Sequence, residues 1–171
     1  MIQSEAQGFC TARDFVKAVQ LLPDFGYTFD ICIKAHQLPD VLSLVKQCPN
    51  VAFILDHCGK PDIRAGQLEP WKTELRQLAQ YPNVSCKLSG LVTETEHETW
   101  QASGLKPYIE HALTCFGVER LLFGSDWTVV RLATRYDKWI ALLQAITGTV
   151  SEAERNLFFY ENIQRIYKLA V

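Results

Sequence analysis

Two apolar stretches of the sequence end on residues that can bind metals and move protons. "FILDHCGK" (53–60) reaches Asp56 and His57, and "RLLFGSDW" (120–127) reaches Asp126. If both stretches are strands of one parallel sheet, their carboxyl ends meet at the same edge, where such folds bind ligands. An imidazole and a carboxylate together can hold a divalent ion, or polarise a carbonyl and accept a proton from water. The pattern predicts His57 and Asp126 as catalytic residues and metal ligands. A core histidine and a helix N-cap aspartate are the alternatives.

Three further residues are candidates for substrate binding. Lys87 lies in the apolar stretch "CKLSG" and needs an anionic partner, either a structural carboxylate or the substrate. His36, in "KAHQLP", contacts an anionic substrate or solvent, and Trp127 forms a substrate wall or packs in the core. Cys58 adjoins His57, but neighbours in a strand point to opposite faces, which disfavours a Cys/His nucleophile. His97 and His111 are predicted to be surface residues.

Periodicity places these residues on alternating helices and strands. A helix is predicted over Thr11–Leu22, with Thr11 and Asp14 at capping-box spacing, and a strand over about 28–33. Helices are then predicted in "LPDVLSLVKQCP", "EPWKTELRQLAQYP" and "PYIEHALTCFG", separated by strands in "NVAFILDHCG", "NVSCKLSGL" and "ERLLFGSDW". The polar stretch "TETEHETWQASGLKP" is predicted to be a loop or short helix. The region 132–169 is predicted to be helical, with a capping box from Ser151 to Glu154.

This alternation predicts an α/β fold with a parallel sheet, either doubly wound or part of a (β/α)₈ barrel. No G-x-G-x-x-G or P-loop motif follows a strand, whereas polar groups follow all four, and this favours the barrel. No Pro/Gly-rich linker divides the 171 residues, so no domain boundary is predicted within residues 1–171.

The composition excludes several functional classes. The net charge is −2, without the basic footprint of a nucleic-acid binder, and no apolar run approaches the roughly 18–20 residues that cross a bilayer. The six cysteines form no C-x-x-C pair, and the first residues do not resemble a secretory signal. We therefore expect reduced thiols and a cytoplasmic protein.

The segments "FILDHCGKPDI", "NVSCKLSGLVTE" and "RLLFGSDW", in this order, resemble the signature segments of the amidohydrolase-related metal-dependent hydrolases. They are most similar to the branch that contains L-fucono-1,5-lactonase and 2-pyrone-4,6-dicarboxylate lactonase. The resemblance implies a distorted (β/α)₈ barrel that hydrolyses a sugar lactone or similar cyclic ester with activated water. The expected partner is a small-molecule lactone or a carboxylate-bearing substrate. It implies that His57 ends strand six as a metal ligand or carbonyl polariser, and that Asp126 ends strand eight as the general base. A divalent metal, Zn²⁺ or Mn²⁺, fits this branch, as does metal-independent catalysis.

One departure from the family pattern sets further expectations. The family's first strand carries H-x-H, which this sequence lacks, and four strands are found where a barrel of about 250 residues has eight. The resemblance thus implies that residues 1–171 are the C-terminal part of a barrel domain. This part would hold strands five to eight of an incomplete barrel, in a truncated chain with impaired catalysis. Open sheet edges predict self-association. A non-catalytic barrel fragment with a structural or binding role and a decarboxylase of the same superfamily are the alternatives.

Overall fold

The computed structural model describes residues 1–148 and 150–169 as a four-stranded parallel sheet with helices between the strands. The strands are β1 (Phe29–Ile31), β2 (Phe53–Leu55), β3 (Val84–Leu88) and β4 (Leu121–Phe123), in the spatial order β1-β2-β3-β4. Each neighbouring pair is parallel, which confirms the predicted α/β fold with a parallel sheet. The predicted positions of all four strands are confirmed, although β1 is shorter than 28–33.

The helices are α1 (Arg13–Gln20), α2 (Leu38–Gln47), α3 (Trp71–Leu78), α4 (Ala102–Phe116), α5 (Tyr136–Ile146), α6 (Glu152–Asn156) and α7 (Asn162–Tyr167). A π-helical turn, Leu157–Glu161, joins α6 to α7, and short 3-10 turns connect several other elements. The predicted helical region 132–169 includes residue 149, and the predicted domain includes residues 170 and 171; these three lie outside the described residues. Within those, no helix is both long and apolar enough to cross a membrane.

Two predicted helix starts are wrong, and one is confirmed. α1 begins at Arg13 without a capping box, because the Thr11 hydroxyl donates instead to the Gly8 carbonyl at 2.9 Å. α4 begins at Ala102 and carries Pro107 inside it, whereas the sequence suggested a start at the proline. The capping box before α6 is confirmed: the Ser151 amide donates to Glu154 Oε2 at 2.7 Å, and Ser151 Oγ accepts from the Glu154 amide.

Strand register divides the sheet into an apolar face and a polar face. Ile31, Leu55 and Cys86 are paired across β1, β2 and β3, and all are fully buried in the hydrophobic core. One residue earlier in each strand, Asp30 is paired with Ile54, and Ile54 is paired with Ser85. Because side chains alternate between faces, Asp56 and Lys87 lie on the same face as Asp30. The candidate site is built at the carboxyl end of this polar face.

Candidate active site at the carboxyl edge of the sheet

His57 lies in a tight turn, Asp56–Gly59, that directly follows β2. The turn holds His57 in the left-handed region (φ 54°), and the imidazole is half-buried. Its Nδ1 lies 2.8 Å from Oγ of Ser89, a buried residue that follows β3. In the tautomer that donates Nδ1–H to Ser89, the Nε2 lone pair is free for a metal or a proton. The partner of His57 is therefore a side chain and not the backbone carbonyl that a core histidine was expected to use.

Asp126 approaches His57 from the end of β4. Its Oδ1 lies 3.9 Å from His57 Nε2, and the two side chains are 13% and 15% exposed respectively. The 3-10 turn that follows, Val129–Leu132, has Thr128 as its N-cap and no side-chain cap, so the helix-cap alternative for Asp126 is wrong. The predicted convergence of the two strand ends is thus present in the structure.

Burial tunes both groups in the direction that hydrolytic chemistry needs. Desolvation raises the pKa of Asp126 above its ordinary value of 3.8, partly opposed by the charges of His57 and Lys60. Desolvation also lowers the pKa of His57 below 6.5, although the carboxylates of Asp126 and Asp56 act in the opposite direction. A more basic carboxylate beside a neutral imidazole results.

Gly90, the residue after Ser89, allows the close approach of these two side chains. A Cβ at Gly90 would lie 2.6 Å from His57 Nδ1 and 3.1 Å from Asp126 Oδ2, and the residue has φ +63°. A side chain is excluded by space as well as by backbone conformation. The sequence analysis did not identify Gly90, because nothing in one sequence shows that His57 packs against it.

Lys87 is held by carboxylates of the protein itself. Its Nζ lies 2.7 Å from Asp56 Oδ1 and 2.9 Å from Asp30 Oδ2, and the Tyr167 hydroxyl donates to Asp30 at 2.7 Å. Burial alone would lower the pKa of Lys87, but the bonds with Asp56 and Tyr167 outweigh it and raise that pKa above its usual range. Of the two partners predicted for Lys87, the structure shows the structural carboxylate.

The remaining predicted residues lie in two different cavities. Trp127 lines a cavity of about 410 Å³ together with Asp56, His57, Lys87, Ser89 and Asp126. It is 60% exposed, and the Arg131 guanidinium lies over its ring at 5.6 Å. His36 is exposed and lines a second cavity of about 490 Å³ with Lys34, Lys60 and Glu94. The structure therefore does not bring His36 together with His57 and Asp126.

Two other histidines and Cys58 pack against the rest of the fold and do not line the cavity that contains His57. His111 was predicted on the surface, but it is buried against Trp71, with Nε2 2.8 Å from the Lys72 carbonyl oxygen. His97 is half-buried, with Nε2 3.0 Å from the Thr93 carbonyl oxygen. Cys58 is fully buried in the core, in agreement with the expectation that it is not a nucleophile.

Side chains that could bind a metal ion lie beside His57. Cys32, Asp56 and His57 each place one possible ligand atom within 4.8 Å of the other two. Asp126 Oδ1 lies 3.9 Å from His57 Nε2. Burial raises the pKa of the Cys32 thiol above 9.0, and the Lys60 charge opposes this. Sulfur, nitrogen and carboxylate oxygen are the donors that Zn²⁺ uses in proteins, so these residues fit a divalent ion. Cys32 and Ser89 were not among the predicted site residues.

The fold and the site together define the class of protein. Residues 6–169 match the amidohydrolase family, and the chain belongs to that family. It is 36% identical over 177 residues to the L-fucono-1,5-lactonase of Burkholderia multivorans, a match that covers 98% of this chain and 60% of the relative. The chain thus spans about three-fifths of the length of this relative.

Solved structures agree with this assignment. A crystal structure of an amidohydrolase from Burkholderia multivorans with bound zinc superposes with a TM-score of 0.95 at 35% identity, covering 99% of this chain and 63% of that one. Amidohydrolase 2 from Bifidobacterium longum subsp. infantis superposes with a TM-score of 0.77 at 24% identity, covering 95% and 58%. The second likeness concerns the fold alone. The predicted resemblance to the amidohydrolase-related hydrolases is confirmed.

Proposed function

We propose that this chain carries the water-activating site of a lactonase that acts on a sugar lactone or a similar cyclic ester. The observation that carries the proposal is the pair His57 and Asp126, which lie 3.9 Å apart in the lining of a cavity and pack against Ser89 and Gly90. The L-fucono-1,5-lactonase relative supports the substrate class. The cavity of about 410 Å³ has room for a ring of this size.

In the proposed reaction, Asp126 accepts a proton from water as the water oxygen attacks the lactone carbonyl carbon. The carbonyl π electrons move to oxygen and return as the bond between the carbonyl carbon and the ring oxygen breaks. The departing ring oxygen takes the proton from Asp126, so that one lactone and one water give one hydroxy acid. His57 would hold a divalent ion through its neutral Nε2, and that ion would orient the carbonyl oxygen.

The residues around His57 also fit a divalent metal. His57 Nε2 and Asp126 Oδ1 lie 3.9 Å apart, and these two residues, the predicted ligands, would hold such an ion. Such an ion would polarise the lactone carbonyl and lower the pKa of bound water. The family relative crystallised with zinc supports this part of the proposal.

We further propose that the four strands correspond to strands five to eight of the relatives' barrel, and that the chain alone hydrolyses lactones slowly. The sequence has no H-x-H, so the two histidines that the family resemblance places in the site are missing. The outer edges of β1 and β4 would support self-association. The six free cysteines support a cytoplasmic location.

The test is hydrolysis of L-fucono-1,5-lactone and several aldonolactones by the purified 171-residue chain, with and without Zn²⁺ or Mn²⁺, followed by acid release. Asp126→Asn keeps the shape and removes the base, so we expect the rate to fall at least about 100-fold. Asp137→Asn is the matched control, since Asp137 is exposed and pairs with Arg135.

Two outcomes would contradict the proposal. An Asp126→Asn variant that keeps more than about a tenth of the rate would exclude Asp126 as the base. A folded wild-type chain that hydrolyses none of the lactones would favour the non-catalytic alternative, and CO₂ release from aromatic or muconate acids would favour the decarboxylase.

A further inference from the structure

Cys32 is the one cysteine placed among the groups of the candidate site. It follows β1, two residues after Asp30, and is therefore on the polar face of the sheet while the chain stays extended. Its backbone carbonyl accepts a hydrogen bond from the Gln3 amide at 2.9 Å, and its side chain is buried. In residues 1–148 and 150–169, Cys32, Asp56 and His57 form the only group of three histidine, cysteine or acidic side chains close enough to share an ion.

The spacing of this group is close to that of a tetrahedral metal site. Zinc–ligand bonds of about 2.0–2.3 Å place neighbouring ligand atoms roughly 3.3–3.6 Å apart. The three ligand atoms here lie within 4.8 Å of one another, so shifts of about 1 Å would close them around an ion. Three protein ligands with an open fourth position are typical of catalytic zinc sites.

The surroundings of the group support a ligand role independently of its spacing. Ser89 Oγ lies 2.8 Å from His57 Nδ1, and a hydrogen bond of this kind orients a metal-bound imidazole. Lys87 bonds Asp56 through Oδ1 at 2.7 Å, which leaves the other carboxylate oxygen available. A thiolate at Cys32 and two carboxylates would offset the charges of the ion and of Lys87.

We propose that Cys32 is a thiolate ligand of a metal site shared with Asp56 and His57, and that it makes the site select Zn²⁺ or Co²⁺ over Mn²⁺. Thiolate is a soft ligand that favours zinc, whereas an oxygen-rich site favours manganese or magnesium. The inference deepens the metal-assisted form of the proposed function, because it chooses between the two metals that fit the family.

The test is spectroscopic and independent of turnover. The chelator-treated 171-residue chain is titrated with Co²⁺, and we expect a sulfur-to-cobalt charge-transfer band in the near ultraviolet that Zn²⁺ abolishes. Cys32→Ser should lose the band and bind Zn²⁺ at least tenfold more weakly in competition with a chromophoric chelator, since even outer partners of ligands contribute about 10–100-fold. Cys48→Ser is the matched control: Cys48 is also buried, but its thiol lies against the Val16 carbonyl.

The wild-type spectrum decides the question even if Cys32→Ser folds poorly. Four results would each overturn the proposal. They are a chain that does not bind Co²⁺, Co²⁺ binding without the charge-transfer band, a band that survives in Cys32→Ser, and Mn²⁺ binding that is as tight as Zn²⁺ binding. Lactone hydrolysis is measured separately, so a thiolate band without turnover would contradict the lactonase and leave the metal site standing.

Discussion

Gly90→Ala tests whether the close packing of His57 and Asp126 matters for function. The new Cβ would lie 2.6 Å from His57 Nδ1 and 2.8 Å from its Cγ, where ordinary contacts begin at 3.4 Å. The imidazole would have to move by about 0.8 Å, which would change its distances to Ser89 and Asp126.

The displacement and the backbone strain have separate expected magnitudes. Misplacing a catalytic group by about 1 Å costs on the order of 100-fold in rate, so we expect kcat/KM for lactone hydrolysis to fall roughly 30- to 100-fold. Placing alanine at a φ of +63° costs about 1–2 kcal/mol of stability. For a chain of this size that corresponds to a Tm lower by roughly 2–8 °C. Ring ¹⁵N resonances of His57 would report loss of the Ser89 hydrogen bond without relying on turnover.

Gly26→Ala separates the two effects. Gly26 has a similar left-handed backbone, φ 71° and ψ 15°, but a Cβ there meets nothing within 4 Å. This control should lose about the same stability and keep its rate. Gly90→Ala with more than half the wild-type kcat/KM, or an equal loss of rate in Gly26→Ala, would refute the packing argument.

Two further predictions concern charge and buried hydrogen bonds. Lys60 lowers the pKa of Asp126, so Lys60→Gln should raise it; because the base acts when ionised, the acid limb of the kcat/KM–pH profile should move to higher pH. Lys46→Gln, on the exposed side of α2, is the control, and an unmoved limb would count against the assignment of Asp126. The side-chain amide of buried Asn162 donates to the Val118 and Leu121 carbonyls, both at 2.7 Å. Asn162→Ala should therefore lower the free energy of unfolding, measured with denaturant, by about 2–4 kcal/mol. Asn156→Ala, an exposed position on α6, should cost little, and a loss below about 0.5 kcal/mol at Asn162 would contradict the argument.

The parallel sheet was predictable because its strands are short apolar runs separated by periodic helices. β2 is buried at all three of its residues, as expected for a strand covered on both faces. Helix starts were harder to predict. The Thr11 hydroxyl donates to the Gly8 carbonyl and so does not cap α1, and Pro107 lies inside α4. Neither feature can be predicted from the local sequence.

Part of the candidate site was predictable for the same topological reason. His57 follows β2 and Asp126 follows β4, two strands of one parallel sheet, and the rule that the carboxyl ends of such strands meet at one edge was sufficient to pair them. Cys32 and Ser89 depend instead on register, because each is 25 or more residues from His57 and a shift of one residue would turn it to the opposite face. Cys32 also occurs in an apolar run, where a small buried thiol is the ordinary expectation.

The backbone at the site gives a separate reason to regard it as functional. Non-glycine residues with positive φ are uncommon, yet His57, Cys58, Lys60 and Asp126 all adopt φ between 49° and 54°. Histidine and aspartate tolerate this region better than most residues, but Cys58 and Lys60 do not share that tolerance, and each such residue costs of order 1–3 kcal/mol.

Surrounding contacts hold this conformation in place. The buried Trp71 indole donates to the Cys58 carbonyl at 2.7 Å, and the Lys60 amide donates to the His57 carbonyl at 2.9 Å. At the other strand end, the Val130 amide donates to the Asp126 carbonyl at 2.8 Å. A turn needed only to connect elements would relax its strain through glycine or asparagine. Strain retained at both strand ends, and fixed there by hydrogen bonds, is what aims the imidazole and the carboxylate at each other.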